Sequence, residues 1–160
     1  MNAVIEGRTS GLNSRREISE TVAIRILLVD GFNPFRTLVS SILKEQPGYE
    51  IVGEVADGPE AIHRALEVKP DLVVLAIDLP RLNGVEVARQ IRCCCPDSKI
   101  LFLSLNNDAE LVREALHAGA LGYVLKCNAV PELVEAAKTV LSGKRFVGRA
   151  LRGHGIRGDC

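Results

Sequence analysis

Asp30, Asp78, Ser104 and Lys126 are the side chains of this sequence best placed for chemistry, because each closes or follows an apolar run. The runs are Ile24–Asp30, Leu72–Asp78, Lys99–Ser104 and Leu121–Lys126. A carboxylate can hold a hard divalent cation or take up a transferred group, and a hydroxyl and an ammonium can contact anionic oxygens. The central stretch runs from Pro70 to Gly84. Val73, Val74 and Leu75 read as a strand buried on both faces, followed by a turn and an amphipathic helix. Its carboxyl end carries Ala76 and Asp78, and chemistry in such chains gathers at that end of the strand.

These positions need a scaffold, and from Ala23 onward a strand–helix alternation repeats five times. Ile24–Asp30 is the first strand; Pro34 suits a first helical turn, and Phe35, Leu38, Val39, Ile42 and Leu43 follow at helical spacing. Glu50–Val55 alternates with period two and reads as an edge strand. Asp57-Gly58-Pro59 turns into a helix bearing Ala61, Ile62, Ala65 and Leu66. The third helix places Val85, Ala88 and Ile91 inward, and Asn106-Asn107-Asp108 can cap a fourth bearing Leu111, Val112, Ala115 and Leu116. Gly119 ends that helix, Leu121–Leu125 is the fifth strand, and Val130–Leu141 the last helix. Short connections imply right-handed crossovers, hence an α/β fold: one doubly wound parallel sheet of order 2-1-3-4-5. Its crevice lies beyond strands one and three, bringing Asp30, Ala76 and Asp78 together, with Ser104 and Lys126 at the ends of strands four and five.

The remaining composition narrows the class. At 160 residues, 47% of them hydrophobic, the chain fits one globular domain. Its formal net charge of zero argues against a strong general pull toward nucleic acid. No apolar run approaches ~20 residues and no signal-peptide core is present, so a cytoplasmic, non-membrane protein is expected. Cys93, Cys94, Cys95, Cys127 and Cys160 match no zinc spacing, and adjacent cysteines are poorly placed to bridge; free thiols are expected. His63, His117 and His154 sit in different elements and receive no chemistry. Residues 1–22 read as a flexible leader, 23–142 as the folded domain, and 143–160 as a basic, Gly-rich tail with no helix-turn-helix.

Leu27-Leu28-Val29-Asp30, Leu79-Pro80, Asn83-Gly84, Ser104 and Gly119–Lys126 together resemble the receiver domain of bacterial two-component response regulators. The resemblance is to the CheY-like, flavodoxin-like group, and most closely to the receivers of LuxR-type regulators. It covers about residues 24–141 in one colinear order. It implies an aspartate that takes a phosphoryl group from a histidine kinase, with two acidic residues and that acceptor holding Mg2+. A hydroxyl on strand four and a lysine after strand five then contact the phosphoryl oxygens, the cations offsetting charge on the transferring group.

Carried onto this chain, the correspondence is partial. Asp30 holds the first acidic position, and Gly31 stands in place of the second. Counting back from Leu79-Pro80 and Asn83-Gly84 puts the acceptor at Ala76. Ser104 and Lys126 match, and Tyr123 matches the aromatic position that rearranges with the hydroxyl. A methyl group cannot be phosphorylated, and Asp30 alone is a weak Mg2+ site. The expectation is therefore a degenerate, non-enzymatic receiver in phosphorelay signalling, a pseudo-receiver without a resident cofactor. It would stand alone, acting by contact with a histidine kinase or another regulator. The docking or homodimer face expected is that of the fourth helix, fifth strand and fifth helix, with neither membrane nor nucleic acid as partner. Lys126, lacking its usual partner, would pair with Asp30 or Asp78. Two alternatives stand beside this: Asp78 as surrogate acceptor, and a transcriptional regulator that has lost its DNA-binding domain.

Overall fold

Residues 22–154 are described in the computed structural model of the chain; the leader expected at 1–22 lies, save Val22, outside them. In chain order the elements are β1 (Ile24–Val29), α1 (Asn33–Lys44), β2 (Tyr49–Val55), α2 (Gly58–Val68), β3 (Leu72–Ala76) and α3 (Gly84–Cys94). There follow β4 (Lys99–Ser104), α4 (Ala109–His117), β5 (Gly122–Leu125), a 3₁₀ turn (Lys126–Asn128), α5 (Ala129–Leu141) and β6 (Phe146–Val147). A second 3₁₀ segment covers Arg149–His154.

Local chemistry sets the starts of the helices. The carboxylate of Asp57 accepts the Glu60 N–H at the head of α2, the Asn83 side chain accepts that of Glu86, and Asp108 accepts that of Glu110. Each satisfies a backbone donor that a helix start otherwise leaves free. Gly119, with φ +113°, takes the left-handed position after α4 that a side chain resists.

All strands are parallel, in the order β2-β1-β3-β4-β5-β6. The expected 2-1-3-4-5 arrangement holds and gains a sixth strand. All five residues of β3 are buried, as its unbroken apolar run requires of a central strand covered on both sides. Leu75 pairs with Val29 on one side and Phe102 on the other. Alternation divides the core into two layers. Leu27, Val29, Val73, Leu75 and Phe102 pack with Ala61, Ala65, Val87 and Val112 of α2, α3 and α4. Ile26, Leu28, Leu72, Val74, Leu101 and Leu103 pack with Val39 and Leu43 of α1 and Leu133 and Val140 of α5.

The end of the fold departs from the sequence reading. The expected tail begins at 143, but Phe146 and Val147 pair with Gly122 and Tyr123 of β5, and Leu151 is fully buried. Two apolar residues flanked by glycine and arginine carry no strand periodicity; the exposed edge of β5 supplies the missing partner. Residues 155–160 lie outside the described part of the chain. Leu151→Ala should lower stability by about 3 kcal/mol, read as a shift in the urea midpoint. A change within error would mean that this segment adds nothing to the core.

Candidate functional site

Strand parity sorts the candidate residues into two groups before any contact is considered. Ile26 and Leu28 share a layer, as do Leu72 and Val74, and Val124 joins them from β5. Two residues further along each strand stand Asp30, Ala76 and Lys126, which therefore emerge on the α1–α5 side. Ser104 follows Ile100 and Phe102 on the opposite side, the side on which Tyr123 is packed.

The first group closes on itself. Lys126 Nζ lies 2.7 Å from Asp30 Oδ2, with the side chains 14% and 10% exposed. The other carboxylate oxygen, Oδ1, accepts the Phe32 N–H at 2.9 Å. Lys126 Nζ also stands 4.7 Å from the centre of the Phe35 ring, a cation–π contact that holds the ammonium from a second direction. Arg36 donates to the Asp30 carbonyl and pairs with Glu54 at 3.2 Å, fixing the start of α1 to the end of β1. Of the two partners open to Lys126 in the sequence, Asp30 is the one it takes. Because both charges are withdrawn from water, Lys126→Ala leaves an unpaired buried carboxylate, at a cost of about 3 kcal/mol. Adding Asp30→Ala should return much of that loss. Urea unfolding of the two variants measures both.

The second group is a hydrogen-bonded turn. Ser104 is buried, and its Oγ accepts the Asn106 N–H at 3.0 Å. The Tyr123 hydroxyl donates to the Asn106 carbonyl at 2.7 Å, and its ring is fully buried at 6.1 Å from that of Phe102. Ser104 thus satisfies local backbone, and Tyr123 is tucked inward rather than turned to solvent. Burial pushes the Tyr123 phenol above its ordinary value, opposed in part by a hydrogen bond with Ser104 and reinforced by Asp78 and Asp108. The folded state then favours the neutral phenol. Its contribution is intact below pH ~10, the ordinary tyrosine value, and is lost as pH rises through the higher folded value. Tyr123→Phe should flatten the alkaline fall in stability and cost about 1 kcal/mol at neutral pH. Tyr49, raised by burial as well, keeps the remainder of that slope.

Between the groups lies an open cleft of about 430 Å³, bounded by Asp30, Gly31, Ala76, Asp78, Ser104 and Lys126. Its other walls are apolar: Phe32, Ile77, Pro80, Leu103 and Leu105. Ala76 is buried at its floor, whereas Asp78 stands exposed in the following loop. The residues present do not fit a divalent cation. One oxygen of Asp30 is taken by Lys126 and the other by a backbone N–H, Gly31 has no side chain, and Ala76 offers a methyl group. Among the described residues, no cluster of three His, Cys, Asp or Glu side chains could hold a metal.

Several contributors were not singled out from sequence. Phe35 reads there only as a helix core residue, and Arg36 is not marked at all. Arg81 adopts φ +72° and pairs with Asp57 at 2.8 Å, across the loop that follows β3. The backbone hydrogen bond from Glu60, reinforced by Arg81, holds the Asp57 carboxyl below its usual range. No sequence signal marks these contacts, because each depends on how loops meet at the sheet end.

Residues 26–138 match the family profile described as the response regulator receiver domain. The transcriptional regulatory protein DegU of Brevibacillus brevis is 36% identical over 124 residues, which cover 78% of this chain and 52% of DegU. A protein-glutamate methylesterase/protein-glutamine glutaminase of Geobacter sulfurreducens is 35% identical over 109 residues, 68% of this chain and 30% of that protein. The crystal structure of a LuxR-family two-component response regulator from Aurantimonas sp. SI85-9A1 superposes with a TM-score of 0.78 at 34% identity. That superposition covers 82% of this chain and 94% of the other. The chain spans about half or less of the length of these two curated relatives. The family profile itself runs from β1 to α5.

Proposed function

This chain belongs to the response regulator receiver domain family, and on that footing we propose that it is a pseudo-receiver of two-component signalling. It transmits by protein–protein contact in the cytoplasm, without enzymatic activity and without ordinary aspartate phosphorylation. The observation that carries this reading is the cleft floor: Ala76 offers a methyl group where a nucleophile would be needed, while Lys126 is committed to Asp30 at 2.7 Å. Tyr123 is held inward on the Asn106 carbonyl and Ser104 accepts the N–H of the same residue, so the hydroxyl and aromatic positions share one turn. A partner would then set the state by binding one arrangement better than another, since only differential affinity shifts such an equilibrium.

The partner we infer is a histidine kinase or another regulator, or a second copy of this chain. The face concerned is formed by α4, β5 and α5. Its β5 edge is covered by β6, so β5 itself is closed to strand addition. Arg113 on α4 and Glu135 and Lys138 on α5 are exposed on these helices.

Beryllofluoride with Mg2+, a phosphoryl mimic, tests the reading on isotopically labelled protein. The amide resonances of Ser104, Tyr123 and Lys126 should stay in place. Movement of all three would mean that the pocket still accepts a phosphoryl group. Asp78 is the residue for a second reading, because it is exposed at the cleft mouth. As surrogate acceptor it would take the phosphoryl group outside the Asp30–Lys126 pair.

A further inference from the structure

Cys93 and Cys94 close the last turn of α3, and Cys95 follows with φ −135° and ψ 68°, already outside helical geometry. Cys94 Sγ and Cys95 Sγ are 3.7 Å apart, in van der Waals contact. Their surroundings differ. Cys95 is buried, and its thiol donates to the Ala65 carbonyl of α2 at 3.6 Å. Cys94 is exposed and opens on two clefts. One, of about 300 Å³, lies against Lys69, Pro70 and Asp97; the other, of about 370 Å³, lies against Leu66 and Arg89. Small reagents therefore have access to Cys94 and, through it, to a second sulfur on the largely buried Cys95.

We propose that Cys94 and Cys95 form a reversible oxidation site that closes to a vicinal disulfide in the presence of a hydroperoxide. The exposed Cys94 thiolate attacks the peroxide oxygen; the O–O bond breaks, an alcohol or water leaves, and a sulfenic acid forms on Cys94. The Cys95 sulfur then attacks the Cys94 sulfur and expels the hydroxyl, which leaves as water with the Cys95 proton. Two thiols are oxidised by two electrons, and one peroxide is reduced. Burial, with Cys94 alongside, pushes the Cys95 thiol up, opposed in part by Lys69. Cys95 is accordingly not the thiol that meets the peroxide first, and its place beside Cys94 makes it the resolving partner.

Three features favour this pair. Successive helical side chains are turned about 100° apart, so Cys93 and Cys94 diverge, whereas Cys95 has left the helix and turns back. The backbone at a helix end can adapt where a helix interior cannot. Neighbouring Cα atoms are about 3.8 Å apart, under the usual disulfide span of about 4.4 Å or more, so the ring is strained and readily reduced. That suits a switch and not a staple. Closing the ring pulls Cys95 from the Ala65 carbonyl and loosens the contact between α3 and the end of α2.

The test treats the full chain with one equivalent of hydrogen peroxide, blocks free thiols and digests with trypsin, which releases Cys93–Lys99 as one peptide. The expected product is that peptide short of two hydrogens, restored by dithiothreitol. It should persist in Cys93→Ser and vanish in Cys94→Ser and in Cys95→Ser. Sulfinic acid on Cys94 with Cys95 still open to alkylation would overturn the proposal. So would a disulfide that survives in Cys94→Ser, or a bridge only between chains. In the oxidised protein, amide exchange at Lys69, whose N–H bonds to the Ala65 carbonyl at 2.8 Å, should rise several-fold. Unchanged exchange with the ring closed would refute the coupling to α2.

Discussion

Ala76→Asp combined with Gly31→Asp should give a chain that takes up a phosphoryl group, in the presence of Mg2+ and a small phosphoryl donor. The cleft already supplies the rest of what such a transfer needs. Asp30 offers a carboxylate, Lys126 an ammonium and Ser104 a hydroxyl, all bordering the same space. A carboxylate at position 76 would lie at the cleft floor, and one at position 31 at its rim. Space permits the second change with a small adjustment: a Cβ on Gly31 would meet the Ala56 carbonyl at 3.3 Å and Pro80 Cδ at 3.4 Å.

The electrostatics of the double variant make the effect conditional on the metal. Three carboxylates around one ammonium repel one another, so without a cation the variant should be less stable than the natural chain. Mg2+ would bind between them, neutralise the excess charge and raise the melting temperature, an effect the natural chain should lack. The carboxylate oxygen at position 76 would then attack the phosphorus of acetyl phosphate, with acetate leaving, and add about 80 Da. Ala76→Asp alone should react more slowly, because only two carboxylates would face the cation. A double variant that gains Mg2+ stability but no adduct would place the defect in the geometry around Lys126, beyond the missing acids.

The second large effect concerns stability. Gly84→Ala should destabilise the fold by about 3 kcal/mol or more, and lower its melting temperature by on the order of 10 °C. A Cβ at this position would stand 2.1 Å from the Ala76 carbonyl oxygen and 2.8 Å from the Ile77 Cα. Both are backbone atoms at the end of the central strand, so no side chain can rotate aside. The Gly84 N–H meanwhile donates to the Ile77 carbonyl at 2.7 Å, fixing the head of α3 against the end of β3. The site is therefore shaped by a close backbone approach that only glycine allows. By contrast, Gly143→Ala meets nothing within 4 Å, and its cost should come only from its φ of +89°.

Much of this was legible before the structure, for identifiable reasons. The β3 run, the Asp57-Gly58-Pro59 turn into α2 and the Asn106-Asn107-Asp108 cap of α4 are local signals, and each appears where its chemistry demands. The strand order, with the crevice it places beyond the carboxyl ends, was enough to bring Asp30, Ala76 and Lys126 to one end of the sheet. It left open whether Lys126 would choose Asp30 or Asp78. That choice follows from the loop after β3, which carries Asp78 out to solvent. What stayed hidden depends on partners distant in sequence. Phe146 and Val147 become a strand only because β5 offers an open edge, and Phe35 holds Lys126 only because α1 starts beneath it. The cysteine pair was set aside because neighbouring cysteines bridge poorly. The turn of Cys95 out of the helix brings the two sulfurs into contact.

The pseudo-receiver reading stands or falls most directly on intact mass after incubation with acetyl phosphate and Mg2+. The natural chain should keep its mass, while the Ala76→Asp, Gly31→Asp variant gains one phosphoryl group under the same conditions. A phosphoryl adduct on the natural chain that disappears in Asp78→Ala would contradict that reading, and would make Asp78 the acceptor.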